Sequence, residues 1–485
     1  MNTRRASLLV AVGLLVPLMA CAQAIPQRAA EGSPEARPPV PGGPMAPPPA
    51  GLPPGPPPMM PAMSQTHYDM ALGIRDGVIG AAGAEVSGSP SATLLDRIEI
   101  RSSKNALNGL IVSGGRSAVT VRQGSVRLSG TGSNDFLGIG AGILARADAA
   151  LVIEREKIET SGAVSSALVV AEGATVRVYD STLTANGGPL PPGYKPHIGP
   201  GMMQPPPPLG LEGDARTVLA MSNSRTYLYH TRIEADAWGA LSTDATGGNL
   251  YLEANDCTVV VRRKGYGTYA DFGAHVVINA SRIDSGGDLG IIAGKARVDF
   301  DRVTGHAARN GVMIHSVMAF DPAETGELTL KDSTFTSDGP VVLVKSANAL
   351  IQVDGGHPSS KSGVLLEVRK NDDPNATKTQ GRQVPGVRMT LRATKLAGDV
   401  IATDPERTTT VELAGAQLSG ALKGVTLIAD AHSHWTARAD SQVVLAASTP
   451  ASVIDAPAGV TIHARSLARK EHLRLPSGGT LIVSP

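Results

Sequence analysis

Three titratable side chains stand near the ends of short apolar segments that share a glycine at the same offset. Aligned on that glycine, the segments are Trp238-Gly-Ala-Leu-Ser-Thr-Asp244, Tyr266-Gly-Thr-Tyr-Ala-Asp271, Leu289-Gly-Ile-Ile-Ala-Gly294 and Asn310-Gly-Val-Met-Ile-His315. If each is one strand of a stack, then Thr243 or Asp244, Asp271, Gly294 and His315 end the same strand in successive layers. Lys345, closing Pro340-Val-Val-Leu-Val-Lys345, joins the row with a slip of one residue, and Glu367 of Gly363-Val-Leu-Leu-Glu367 lies at a comparable position. Strand spacing then sets Asp244 and Asp271 about 5 Å apart, and Asp271 and His315 about 10 Å apart. Two carboxylates at that distance share a proton, which raises one pKa; His315 would orient or activate water, and Lys345 would fix an anionic group. The chain has 8 Tyr, 5 Phe and 2 Trp, and Tyr227, Tyr229, Trp238, Tyr251, Tyr266, Tyr269 and Phe272 fall in one 46-residue stretch. Rings collected on neighbouring layers suit a sugar, whose apolar face lies on a ring while its hydroxyls bond at the rim. Trp238, Tyr266 and Tyr269 are the candidate ligand-binding rings.

The order Asp, Asp, His, Lys resembles the polygalacturonase-type glycosidases. Their Asn-Thr-Asp, Asp-Asp, Gly-His-Gly and Arg-Ile-Lys motifs correspond here to Ser242-Thr-Asp244, a single Asp271, Ile314-His315-Ser316 and Val344-Lys345. None of the four is complete, so two functions stay open. The first is a glycan- or surface-binding module of adhesin type. The alternative is a polysaccharide hydrolase or lyase using Asp244, Asp271, His315 and Lys345.

Other chemistry is sparse. Asp284-Ser-Gly-Gly-Asp288 lacks the repeated Gly-Gly-x-Gly-x-Asp pattern of calcium-loaded rolls and reads as a turn. His432-Ser-His434 has no Cys or third His close by in sequence and reads as an exposed turn, so neither a metal nor a cofactor is expected. With 44 Lys and Arg against 43 Asp and Glu, net charge is +1 and no basic block follows a nucleic-acid backbone, which excludes nucleic acid as the expected partner.

The residues that would anchor and position these groups lie in three kinds of segment. Arg4, Arg5 and an apolar run from Leu8 to Met19 form a secretion signal, too short to span a bilayer. It ends in Leu18-Met19-Ala20-Cys21, which resembles a bacterial lipoprotein signal spanning residues 1–20. That resemblance implies an acylated Cys21, a membrane partner through its lipid, and, with Ala22 following, delivery to the outer membrane, with its periplasmic or extracellular side left open. Cys257 is then the single remaining thiol and reads as a small core residue in a strand; no intramolecular disulfide is possible. Residues 21–64 form a Pro-rich linker, since 15 of the 36 prolines lie between Pro26 and Pro61; such a segment favours extended polyproline II and acts as a stalk.

Residues 65–485 carry a repeat of alternating apolar strand, polar step, second apolar pair and turn. Apolar-x-apolar strands starting at Val119, Leu151, Val176, Tyr227, Leu250, Val276, Val298, Leu328, Ile351, Met389 and Val411 recur mostly every 22–26 residues. No helical period is sustained, so the expected class is an all-β solenoid. Its repeat grammar resembles the right-handed parallel β-helix of pectin-lyase-like enzymes and autotransporter passengers. A thin coil interior accepts small aliphatics better than rings, consistent with the low aromatic content. One gap is long because residues 189–209, with nine prolines, are inserted, and Lys370 to Val384 forms a second, polar loop.

Overall fold

The computed structural model describes residues 67–197, 201–244, 249–316, 324–372, 383–467 and 470–485. The signal, Cys21 and the Pro-rich linker lie outside the described residues. What is described is a parallel β-solenoid, with strands cycling through three faces and pairing in parallel with their counterparts in the next coil, apart from antiparallel pairs near the first and last coils. Among the described residues, three single-turn 3-10 segments are the only helical pieces.

One coil shows the plan. Thr175–Tyr179 lies on the first face, Thr182–Ala185 on the second and Arg216–Met221 on the third, and the chain returns to the first face as Arg225–Tyr229. The corner from first to second face is set by one residue with positive φ: Asp180 at 49°, His230 at 48°, Asp256 at 51°, Ala280 at 46°, Arg302 at 53° and Asp332 at 47°. At this corner Gly355 supplies the same conformation (φ 65°) without a Cβ to strain it. The residue after the corner points inward and is polar in most coils. Ser181, Thr231, Cys257 and Ser281 each donate to the carbonyl two residues earlier, at 2.7, 2.9, 3.3 and 2.7 Å. Cys257 is therefore a buried corner residue whose thiol stands in a row of hydroxyls.

Inside, one hydrophobic cluster runs from Ala71 to Val483. On the first face its central row is Val119, Leu151, Val176, Thr226, Leu252, Val276, Val298, Leu328, Ile351, Met389 and Val411. Nine of these eleven positions coincide with the strand anchors expected from the sequence. The other two move: Thr226, not Tyr227, points inward, and Leu252 takes the rung expected of Leu250. Because successive residues of a strand face opposite ways, that one-residue shift turns Tyr227 to the outside.

The strands of the third face are buried on both sides, with apolar residues in the majority and a few enclosed charges among them. Its outer surface carries two patches. Ile111, Leu144, Val169 and Leu219 pack against Tyr68, Met70 and Phe136. Trp238, Tyr266, Ile291, Met313 and Leu343 pack with Leu211, just after the long insertion, whose Met202 and Leu209 also lie against them. Arg309 pins this insertion by donating from Nη1 to the carbonyls of Leu209 and Gly210, both at 2.9 Å.

Candidate functional site

The insertion decides what the third face can do. Asp271 pairs across the coils with Ala293, Ala293 with His315, His315 with Lys345 and Lys345 with Arg369. The expected row of acid, His and Lys is therefore present, with two corrections. Ala293, not Gly294, is the rung between Asp271 and His315, and Lys345 joins without a slip. Glu367 is cross-strand from Leu343, two residues before the row. Arg216–Met221 pairs with Trp238–Asp244 so that Met221 is beside Asp244, and the offset that matches Ser242 with Tyr269 brings Asp244 alongside Asp271.

These side chains are enclosed. Asp271 and His315 are each 2% exposed and Lys345 is 5% exposed. Lys345 reaches out to an ion pair with Asp372, which Arg369 approaches at 3.7 Å. Asp244 is engaged by Arg216, whose Nη1 donates to its Oδ2 at 3.1 Å. The same guanidinium donates from Nε and Nη2 to Oδ2 of Asp135, at 3.0 and 2.7 Å, and lies about the rings of Phe136 and Trp238, 5.2 and 5.0 Å from their centroids. Burial would lower the Arg216 pKa, but the two carboxylates hold it above its ordinary value. Burial raises the Asp244 pKa and Arg216 offsets part of that rise. In place of a proton-sharing carboxylate pair, Asp244 belongs to a buried Asp135–Arg216–Asp244 triad.

Trp238 and Tyr266, expected to form a binding platform, are 3% and 2% exposed, and Tyr269 is half-buried against them. The Tyr266 hydroxyl bonds Ser242 Oγ at 2.9 Å, and burial pushes its pKa up to about 12. Burial, then the neighbouring Asp271 and Asp244, raise the Tyr269 pKa well above its ordinary value. One rung on from Tyr266, Asp288 is fully enclosed and accepts at Oδ1 from the backbone and side-chain nitrogens of Asn310, at 3.1 and 2.7 Å. Burial raises its pKa against the pull of Arg309, 3.6 Å away. Sequence reasoning missed Asp135 and Arg216, and read Asp288 as the end of a turn, whereas it opens the buried strand Asp288–Ala293. A lone Arg opening the apolar run Arg216-Thr-Val-Leu-Ala-Met221 was the available signal, since a charge in such a strand requires partners.

The remaining rings gather elsewhere. On the outer side of the first face, Tyr179 pairs directly with Tyr229 and their rings stack at 5.0 Å with 10° between planes. Arg177, directly beside Tyr227, lies 5.3 Å from that ring's centroid. Tyr227 meets Tyr251 at 5.6 Å, and Tyr251 meets His275 edge-on at 5.4 Å. Polar groups complete the patch: Tyr251 donates to Glu253 at 2.7 Å, Asn255 donates to Glu253 at 2.8 Å and Asn279 to Asn255 at 2.8 Å. His275 bonds Asp299 at 2.7 Å; with Arg297 it outweighs the partial burial of that carboxylate and holds its pKa down to about 2. All of these rings and amides are half-buried, with edges open to solvent.

The structure thus separates the sequence cluster of rings into Trp238, Tyr266 and Tyr269 packed under the insertion, Phe272 against the main core, and a displayed group on the first face. The displayed group offers ring carbons, amides, a carboxylate and an imidazole on consecutive rungs, which is a hydrogen-bonding surface with apolar footing. Among the described residues no cluster of three or more His, Cys, Asp or Glu is arranged to hold a metal. No protein-family model matches the chain, and no curated protein matches it in sequence.

Proposed function

We propose that this protein is a lipid-anchored, stalked β-helix of the bacterial outer membrane that binds glycan along its first face. The observation that carries the proposal is the displayed row Tyr179, Tyr227, Tyr229, Tyr251 and His275 with Asn255, Asn279 and Glu253 beside it. Its rungs repeat about every 4.8 Å, close to the length of one pyranose unit in an extended polysaccharide, so successive sugars can lie over successive rungs. Rings supply contact for sugar C–H faces, and the amides and carboxylate bond hydroxyls. Right-handed winding, as in the pectin-lyase-like and autotransporter-passenger folds, is part of the same reading, because strand twist favours it in parallel crossovers. The anchor rests on the Leu18-Met19-Ala20-Cys21 signal; several acyl chains on one cysteine hold a protein firmly to a leaflet.

The test is a glycan array and titration with the purified protein and with Tyr227→Ala and Tyr251→Ala. Loss of binding with an unchanged melting profile supports the reading; binding that both variants retain refutes it. Membrane association that persists in Cys21→Ala refutes the anchor. A polysaccharide hydrolase or lyase is the second reading, motivated by Asp271, His315 and Lys345 on nearby rungs. Their enclosure disfavours it, and turnover of acidic or neutral polysaccharide that vanishes in Asp271→Asn would establish it.

A further inference from the structure

The second face carries a regular pattern of charge that fails at one place. Where its strands or the corners after them bear arginine, a carboxylate answers: Arg232 pairs with Glu234, Arg262 with Glu234 at 3.2 Å and Arg282 with Asp284 at 2.6 Å. Nearer the amino-terminal end, Glu99–Ser102, Ser125–Leu128 and Lys157–Thr160 are neighbouring strands of this face. Arg101 is directly beside Arg127, and Arg127 beside Glu159. Two guanidinium groups thus project from adjacent rungs about 4.8 Å apart, where like charges repel. Arg101 is 60% exposed and donates to Glu99 at 3.1 Å. Arg127 is half-buried, and among the described residues it has neither an ion pair nor a hydrogen bond.

These residues line a groove of about 500 Å³, together with Ser103, Ser129 and Ser161, which follow the three strands at the next corner. Ser161 Oγ also accepts from Asn186 at 3.2 Å. The Arg101–Arg127 end offers N–H and O–H donors with no carboxylate between them, and the Glu159 end offers an acceptor beside a hydroxyl. An oxyanion suits the first end because two guanidinium forks can bond it in bidentate fashion, and sugar hydroxyls suit the second. We infer that this groove is a binding site for an acidic glycan, with a sulfate or phosphate ester seated between Arg101 and Arg127 and neighbouring sugar hydroxyls on Glu159 and Ser161. The site is on a different face from the tyrosine row and does not rest on it.

The experiment is titration of the full-length protein with three versions of one hexasaccharide, carrying sulfate esters, phosphate esters or no ester. The variants are Arg127→Gln and Arg101→Gln, with Arg282→Gln, which removes one positive charge from the same face outside the groove, as a control, and thermal melts confirm that each is folded. The expected result is binding of an esterified hexasaccharide that weakens with added salt, falls at least tenfold in Arg127→Gln and is unchanged in Arg282→Gln. The sulfate and phosphate arms identify which ester the groove prefers. Equal affinity for the uncharged hexasaccharide, equal affinity in Arg127→Gln, or no binding of either ester at millimolar concentration overturns the inference.

Discussion

Glu156 offers a quantitative test of how the solenoid tolerates charge. Pairing of Lys157 with Ser125 and Thr182 sets Gly124, Glu156 and Ser181 on successive rungs of the inward corner row. Glu156 is 2% exposed, in a row held mostly by small hydroxyl and thiol side chains. Gly124 leaves the space that the longer side chain fills, and its N–H donates to Oε2 at 2.7 Å, whereas Oε1 is buried with no hydrogen-bond partner. Burial, opposed only in part by the Gly124 N–H, raises the Glu156 pKa from 4.5 to about 7. Since the folded state holds this proton more tightly than the unfolded state, its contribution is intact below about pH 4.5, declines as pH rises through 7 and is lost above that. At about 1.4 kcal/mol per pH unit, the ionised carboxylate costs about 3 kcal/mol at pH 8. Glu156→Gln keeps the acceptor for Gly124 and removes the charge. Urea melts at pH 5 and pH 8, with amide exchange over residues 119–160 to isolate the local coils, should show the two proteins within about 1 kcal/mol at pH 5 and the variant more stable by about 3 kcal/mol at pH 8. A stability difference that is the same at both pH values would refute the reasoning.

Three further outcomes follow from the packing. Cys257→Ser should change stability by less than about 1 kcal/mol because the hydroxyl makes the same corner bond; the native thiol, its pKa pushed up to about 11 by burial, should resist a maleimide at pH 8 until the protein is unfolded. Gly239→Ala puts a Cβ 2.0 Å from the enclosed Tyr266 ring, and should cost about 1–3 kcal/mol by chemical denaturation, with Tyr266 fluorescence reporting the displaced ring. Arg216→Met leaves Asp135 and Asp244 buried without their cation and should destabilise by about 3–5 kcal/mol, and adding Asp135→Asn and Asp244→Asn should recover much of that loss in the same melts.

The repeat was legible because an interior row needs an apolar residue at one phase of each coil, and most phases were marked by an apolar-x-apolar pair. It slipped at Tyr227, where Thr226 is the inward residue. Tyrosine passes for apolar in an alternating pattern, and threonine passes for an outward position, so the pattern alone favoured the wrong phase. That slip hid the displayed tyrosine row and drew attention to Trp238 and Tyr266. The acid, His and Lys row was legible from glycine alignment. The enclosure of Trp238 and Tyr266 was not, because the covering residues Met202, Leu209 and Leu211 lie in and just after an insertion whose docking depends on contacts such as Arg309 with Leu209, 100 residues away in sequence. Arg216 was missed for a related reason: Asp135 is 81 residues distant, and no local spacing links the two.

The positive-φ corner makes the molecule a ruler graduated in rungs. Because Asn279 and Asp301 end equivalent strands and Ala280 and Arg302 adopt the same corner conformation, excising residues 280–301 rejoins the chain in phase, with the inward rows still continuous. Gaining or losing such a unit changes the distance between any two features on either side by about 4.8 Å and leaves the chemistry of each untouched. Separation between the arginine groove and the groups farther along the stack is thus adjustable in whole steps, independently of what either one recognises.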